Sequence, residues 1–237
     1  MPMNNYTTQT TLIKTTADSQ LYNKPKGRYT TIQSQYWDNN GITILASALR
    51  KFTKIRKASS VLIVGIGNRA VTPDSLGPLT ADKVFATAHI ADEIPATAKK
   101  VTAFSPSVQG MTGMETADII QSIVNTTKPD LVIAIDALAS NSLDRLNTTV
   151  QITDTGINIG AGLKNPRKSL NKDTLGVPVI AIGVPLAIMA NNMDVDSDLV
   201  FCTKDIDEII AKFAKIISCA LNMVLLRISL SQALSLE

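Results

Sequence analysis

The chain has one histidine, two cysteines and no apolar run long enough to cross a membrane, and each shortage removes a class of chemistry. A Ser-His-Asp triad or a Cys-His pair would have to use His89, and a zinc site built on several histidines is excluded. His89 lies in Ala86-Thr87-Ala88-His89-Ile90, near the end of an expected helix, where an imidazole suits the last carbonyls. Acid–base work therefore falls to Asp, Glu or Lys. Cys202 and Cys219 have no metal-type spacing and suggest no disulfide framework, which fits a reducing compartment. The longest apolar run, Val177 to Ala190, is too short for a membrane helix and is broken by Pro178, Gly183 and Pro185. Met1-Pro2-Met3-Asn4-Asn5-Tyr6 lacks the basic segment and apolar stretch of a secretory signal, so a cytosolic, soluble protein is expected. A net charge of +3 on 237 residues is too small to argue for nucleic acid by itself.

What is present is a chain long enough for a sizeable core, with an ordinary apolar share of 45%. Residues 1 to about 35 are polar and rich in Thr, Asn and Gln. Residues 1–24 are read as a tail or pro-segment and 25–237 as a single domain, with Arg28 to Ile32 as a short strand. Asn39-Asn40-Gly41 reads as a turn, and Ile42 to Lys57 has helical spacing. Arg50, Lys51, Lys54, Arg56 and Lys57 crowd the end of that helix, as a solvated face or a nucleic-acid patch. From Val61 the pattern alternates: a strand to Gly65, a helix from Pro78 to about Ile90, a strand at Lys100 to Phe104, a helix through Ile119 to Val124, and a strand at Leu131 to Ile135. Further strands are expected at Thr148 to Ile152 and Val179 to Ile182, with a closing helix from Asp205 to about Ile228. This alternation predicts an α/β fold, a three-layer, mostly parallel sheet flanked by helices.

Two aspartates follow buried-strand runs. Asp136 comes directly after Leu131-Val132-Ile133-Ala134-Ile135, and Asp74 lies in a loop beyond Val61-Leu62-Ile63-Val64-Gly65. On parallel neighbours both emerge at the carboxyl edge, where open α/β sheets keep their sites, and a facing pair could activate water. Asp74, in Thr72-Pro73-Asp74-Ser75, also reads as turn and cap chemistry. A buried Asp136 without a partner would be costly, which favours a role in function. Gly65-Ile66-Gly67-Asn68 is either a tight turn or a phosphate cradle, but the dinucleotide fingerprint is incomplete. Its backbone is a candidate oxyanion holder. Thr112-Gly113-Met114-Glu115 matches a capping box, which gives Glu115 a structural role. Asp130 reads as a turn residue and Asp154 stays open. The loop from Gly156 to Lys172, with Gly160 and Gly162, is read as an active-site lid, an interaction loop or a plain surface loop.

Longer motifs point to a family. Val64-Gly65-Ile66-Gly67-Asn68 with Val71-Thr72-Pro73-Asp74-Ser75-Leu76-Gly77-Pro78, Gly110-Met111-Thr112-Gly113-Met114-Glu115-Thr116-Ala117, Ile133-Ala134-Ile135-Asp136-Ala137-Leu138-Ala139 and Thr174-Leu175-Gly176-Val177-Pro178 resemble the germination protease of endospore-forming bacteria. The resemblance runs from about residue 25 to the closing helix. It implies an endopeptidase that degrades small acid-soluble spore proteins in the germinating spore core. It further implies a fold similar to hydrogenase maturation proteases, a zymogen trimmed at its N-terminus, a homotetramer, and Asp74 and Asp136 as catalytic residues. No cofactor, membrane or direct nucleic-acid partner is expected. Gly65, Gly67, Asn68, Gly160 and Gly162 are the candidates for binding substrate or the oxyanion. The chain departs from the pattern at 191–199, where a family insertion is nearly absent. It departs again at Gln9-Thr10-Thr11-Leu12, where two charges are lost. The alternatives are a metal-dependent hydrolase using the same aspartates, a non-catalytic binder of spore proteins, and, more distantly, a nucleotide-binding module.

Overall fold

The computed structural model describes residues 5–140, 142–160, 168–190 and 199–237. Its parallel strands are β3 (Ser60–Gly65), β4 (Lys100–Phe104), β5 (Leu131–Ser140) and β9 (Val179–Met189), ordered β9-β5-β3-β4. β1 (Thr7–Ile13), β2 (Gly27–Gln33) and β6 (Thr149–Thr153) extend the sheet beyond β9 in the order β1-β2-β6, with antiparallel pairing. β10 (Val200–Phe201) pairs with the end of β9, and a small separate hairpin joins β7 (Ile157–Asn158) to β8 (Ser169–Leu170). The segment read as a polar tail is therefore paired over seven residues from Thr7 to Ile13. Its threonines supply strand preference without hydrophobicity, which is why hydropathy alone missed it.

Helices cover both faces. On one side lie α2 (Asn39–Arg50), α3 (Thr53–Lys57), α4 (Leu76–Lys83), α8 (Ile206–Leu225) and α9 (Leu230–Leu234), packed over Ile63, Ile133, Ile135, Ile180 and Ile182. On the other, α6 (Thr116–Thr127) and α7 (Lys172–Leu175) cover Leu62, Val64, Val132, Ala134 and Val179. The one-turn α5 (Gln109–Thr112) precedes α6, and α1 (Thr16–Tyr22) links β1 to β2. The two faces alternate residue by residue along β3 and β5, as strand geometry requires. No described helix is long and apolar enough to cross a membrane.

Several expected boundaries move, each for a local reason. The Asn39-Asn40-Gly41 turn is instead the first turn of α2, because the Asp38 side chain caps it by accepting from Asn40 N–H at 3.0 Å. α4 begins two residues before Pro78 and ends at Lys83, well short of Ile90. Its end is set by buried Asn222 of α8, which accepts from Phe85 N–H at 3.0 Å and donates to Lys83 O at 3.3 Å. His89 consequently lies in an exposed 3-10 turn, Ala88–Ile90. The Thr112–Glu115 capping box does not form. Thr112 Oγ1 accepts from Met114 N–H, and Glu115 is itself the N-cap of α6 with no side-chain cap bond.

Candidate active site

β3 and β5 run side by side until Gly65 pairs with Ile135, and there β3 ends while β5 continues beside β9 to Ser140. Asp136 is thus the first residue of β5 beyond the last β3 pairing. It lies within the strand rather than at its end, opposite Gly183 of β9. The alternation that sends Val132 and Ala134 to the α6 face sends Asp136 there as well. Asp136 is buried at 7% exposure. Burial pushes its carboxyl up to about 8, the negative charge of Asp74 pushes the same way, and a hydrogen bond from the Ala137 backbone opposes them.

Asp74 reaches the same end of the strands through the loop after β3. Ile66 N–H donates to Ile135 O at 2.8 Å, which pins the start of the loop to β5. Gly67 then turns with φ +124, a conformation glycine adopts without steric cost. A Cβ on Gly67 would collide with the carbonyl oxygen of Asp74 and lie 3.1 Å from its Oδ1. Asn68 N–H donates to Asp74 Oδ2 at 2.7 Å, and Asn68 Oδ1 accepts from Ala70 N–H at 3.0 Å. The 3-10 turn Thr72–Asp74 leads directly into α4, and Ser75 Oγ closes it on Thr72 O at 2.9 Å. Gly77 lets α4 press on the strand ends: a Cβ there would sit 2.5 Å from Ile66 N and 2.6 Å from Ile135 O. Arg69 forks onto Asp82 at 2.5 and 2.9 Å, but both side chains are about half exposed, so this pair contributes little.

The geometry therefore brings Asp74 and Asp136 within electrostatic reach of each other at the carboxyl edge. Gly67 and Asn68 frame Asp74, and Gly65 lies against Gly77 and Ala81 of α4. Gly160 has φ +70 and follows Ile159, which is buried against the α6-side cluster with Leu170. Gly162 lies outside the described residues. Ser169 Oγ donates to Asn158 Oδ1 at 2.7 Å, and Lys168 reaches Asp118 of α6 at 2.7 Å, so the described ends of this loop lie on Asp136's face of the sheet. Asp154, left open by sequence, is a structural anchor: it accepts from Arg28 N–H at 2.7 Å, and Lys54 lies 3.5 Å from its Oδ2. Asp130 accepts from Ser59 and Ser60 N–H at 2.8 and 2.9 Å, and those bonds hold its carboxyl below the ordinary value.

Gly77 and Gly183 also shape this region, although neither stands out in the sequence as a site residue. A Cβ on Gly183 would strike the Leu138 side chain, which lies over Gly183 next to Asp136. A glycine inside an apolar strand run, or in a helix's first turn, is the signal that marks such close approaches. Glu115 has its Oε1 buried without a hydrogen-bond partner among the described residues.

The germination protease family model matches residues 3–204. The chain is 45% identical over 186 residues to the germination protease of Bacillus subtilis, covering 73% of this chain and 50% of that one. It is 42% identical over 204 residues to that of Bacillus cereus, covering 79% and 56% respectively. It spans about half the length of the curated relatives it matches. Among solved structures, the [NiFe] hydrogenase maturation protease HycI of Thermococcus kodakarensis aligns with 76% of this chain and 99% of its own, at 18% identity and a TM-score of 0.45. With a family match that spans most of its length, this chain belongs to the germination protease family.

Proposed function

We propose that the chain is an endopeptidase that degrades small acid-soluble spore proteins during germination, with Asp74 and Asp136 as its acid–base pair. One observation carries the mechanism: the Asp136 carboxyl is buried where β3 ends and β5 continues, and that burial together with the neighbouring Asp74 charge favours its protonated form. The pair titrates as a unit, and the environments divide the roles. Asp74, which accepts the Asn68 N–H, suits the ionised partner and takes a proton from water as the water oxygen attacks the scissile carbonyl carbon. Asp136 gives its proton to the carbonyl oxygen as the tetrahedral intermediate forms. Collapse of that intermediate returns a proton to Asp136 from the geminal hydroxyl, while the proton on Asp74 passes to the leaving amine.

The Asn68 amide donates to Asp74 and the Ile66 amide to Ile135 O, so Gly67 and Asn68 are assigned to positioning Asp74, and the Gly65–Gly67 backbone keeps its expected part in holding substrate or the oxyanion. Among the described residues, no group of three His, Cys, Asp or Glu side chains gathers that could hold a metal ion. The reading takes the carboxylates themselves as acid and base, and loss of activity to a chelator, restored by one divalent ion, would favour a metal-dependent hydrolase instead. Substrate is assigned to the α6 face of the sheet, the face that carries Asp136 and Ile159. A homotetramer acting in the spore core completes the reading, and sedimentation velocity of the purified chain tests the assembly.

The test is cleavage of a purified small acid-soluble spore protein, followed by mass spectrometry, with wild type beside folded Asp74→Asn and Asp136→Asn. Each substitution should cost about 10²–10⁴-fold in rate. Wild-type kcat/KM should fall above about pH 8 as Asp136 loses its proton. A wild type that cuts nothing, or Asn variants that cut as fast, would overturn the proposal.

A further inference from the structure

The edge of the parallel strands opposite the aspartates carries a concentration of positive charge. There α2 ends at Arg50, α3 carries Arg56 and Lys57, Lys99 precedes β4, and Arg227 follows α8. Arg50, Arg56, Lys99 and Arg227 line a cavity of about 370 Å³, with Ile55 and Met223 among its apolar walls. A neighbouring hollow of about 270 Å³ shares Arg56, Lys99 and Arg227 and adds Lys57.

Two of these cations are engaged by the fold itself. Arg50 Nη2 donates to Met223 O at 3.4 Å, and Lys99 Nζ donates to Ala58 O. Open carbonyls at helix ends attract cations, and that accounts for this pair. Arg56 and Arg227 are not engaged in this way. Both are exposed, and among the described residues no hydrogen bond or ion pair holds either guanidinium. Asp130 attracts Lys99 but is already committed to the Ser59 and Ser60 amides. Burial holds Lys99 below the ordinary lysine value, and the charge of Arg227 pushes it further down, as expected where positive charge is in excess.

We infer that this cavity binds a small phosphate-bearing organic molecule, its phosphate against Arg56 and Arg227 and its apolar part on Ile55 and Met223. Guanidinium forks match phosphate oxygens in pairs, which a solvated lysine face does not. The volume is that of a small-ligand site, and cations interleaved with apolar wall suit an organic phosphate better than a bare ion. A concave site on a chain of net charge +3 differs from the long basic stripe that an extended nucleic acid would need.

Isothermal titration of the full chain with phenyl phosphate tests this, with inorganic phosphate, phenol and a short DNA duplex as separate arms. Phenyl phosphate should bind more tightly than inorganic phosphate, and phenol should give no heat. Arg56→Gln and Arg227→Gln, both at exposed positions and checked by circular dichroism, should each weaken phenyl phosphate about tenfold. Lys100→Gln, exposed and outside the cavity, should leave the affinity unchanged. No binding of phenyl phosphate at millimolar concentration, or unchanged affinity in both arginine variants, overturns the assignment. A duplex that binds more tightly than phenyl phosphate and loses affinity in the same variants also overturns it, in favour of a nucleic-acid backbone.

Discussion

In the parallel half of the sheet, β3, β5 and β9 bury almost every side chain on both faces, with runs such as Val61-Leu62-Ile63-Val64 and Leu131-Val132-Ile133-Ala134-Ile135. In the antiparallel half, β1 reads Thr7-Thr8-Gln9-Thr10-Thr11-Leu12-Ile13 and exposes most of its residues. The two halves treat a carboxylate differently. Asp136, at the exit of the doubly covered strands, loses its water and keeps a proton up to about pH 8. Asp154, just after β6, keeps contact with solvent and is held by Arg28 N–H and Lys54. A parallel strand must be apolar on both faces, so the first polar residue beyond the last β3 pairing is still buried. Burial at that end, more than residue type, separates a candidate catalyst from an anchor.

The comparison can be broken first at the aspartates. Asp74→Asn and Asp136→Asn should each lower the rate of spore-protein cleavage about 10²–10⁴-fold, whereas Asp154→Asn should leave the rate of the folded enzyme near wild type. A similar loss in Asp154→Asn, measured with circular dichroism to confirm folding, would erase the distinction between the halves.

Next in size is the close approach of α4. Alanine favours a helix over glycine by about 1 kcal/mol, so Gly77→Ala would stabilise an open helix. Here its Cβ would meet Ile66 N and Ile135 O, which are backbone atoms and cannot move aside cheaply. The expected result is a net loss of about 3 kcal/mol in urea unfolding, and a gain would show that α4 does not pack there as described.

The burial of Asp136 predicts a pH slope in stability. Its folded value of about 8 lies above the unfolded value of 3.8, so the native state holds a proton that the unfolded chain releases. Its contribution is full below pH 3.8 and is lost as the pH rises towards about 8. Thermal melting from about pH 5 to about pH 9 should therefore show a falling Tm in wild type and a flatter profile in Asp136→Asn. Parallel profiles would mean that Asp136 is solvated.

The smallest effect belongs to the polar edge. Thr8→Ala in β1, exposed and paired only with Ile32 of β2, should change stability by about 0.5 kcal/mol or less. A loss of several kcal/mol would make β1 as integral as β3.

How much of this was legible follows the same division. β4 was readable to the residue, and β3, β6 and the body of α8 were readable to within a few positions, because apolar runs and helical spacing carry their own signal. Asp74 and Asp136 stood out for the same reason, as polar residues following such runs. β1 was invisible to hydropathy because threonine favours strands without being buried. The glycine turn was legible as a turn, but its partner was not: only the fold shows Asn68 N–H bound to Asp74 rather than open to a ligand. The capping pattern at Thr112 failed because Thr112 was drawn into α5 one residue before the left-handed Gly113.

Periodicity and composition, which are local properties of the chain, were enough to determine the α/β class and the parallel core, and to single out the two aspartates as candidates. Contacts between residues far apart in sequence decided the rest. Asn222 set the end of α4 across 139 positions, Gly77 set how closely that helix approaches Ile135, and β3 ended against β5 just before Asp136. Desolvation depends on what surrounds a carboxyl in space, so the charge state of Asp136 is a property of the packed protein and not of its neighbours in the chain.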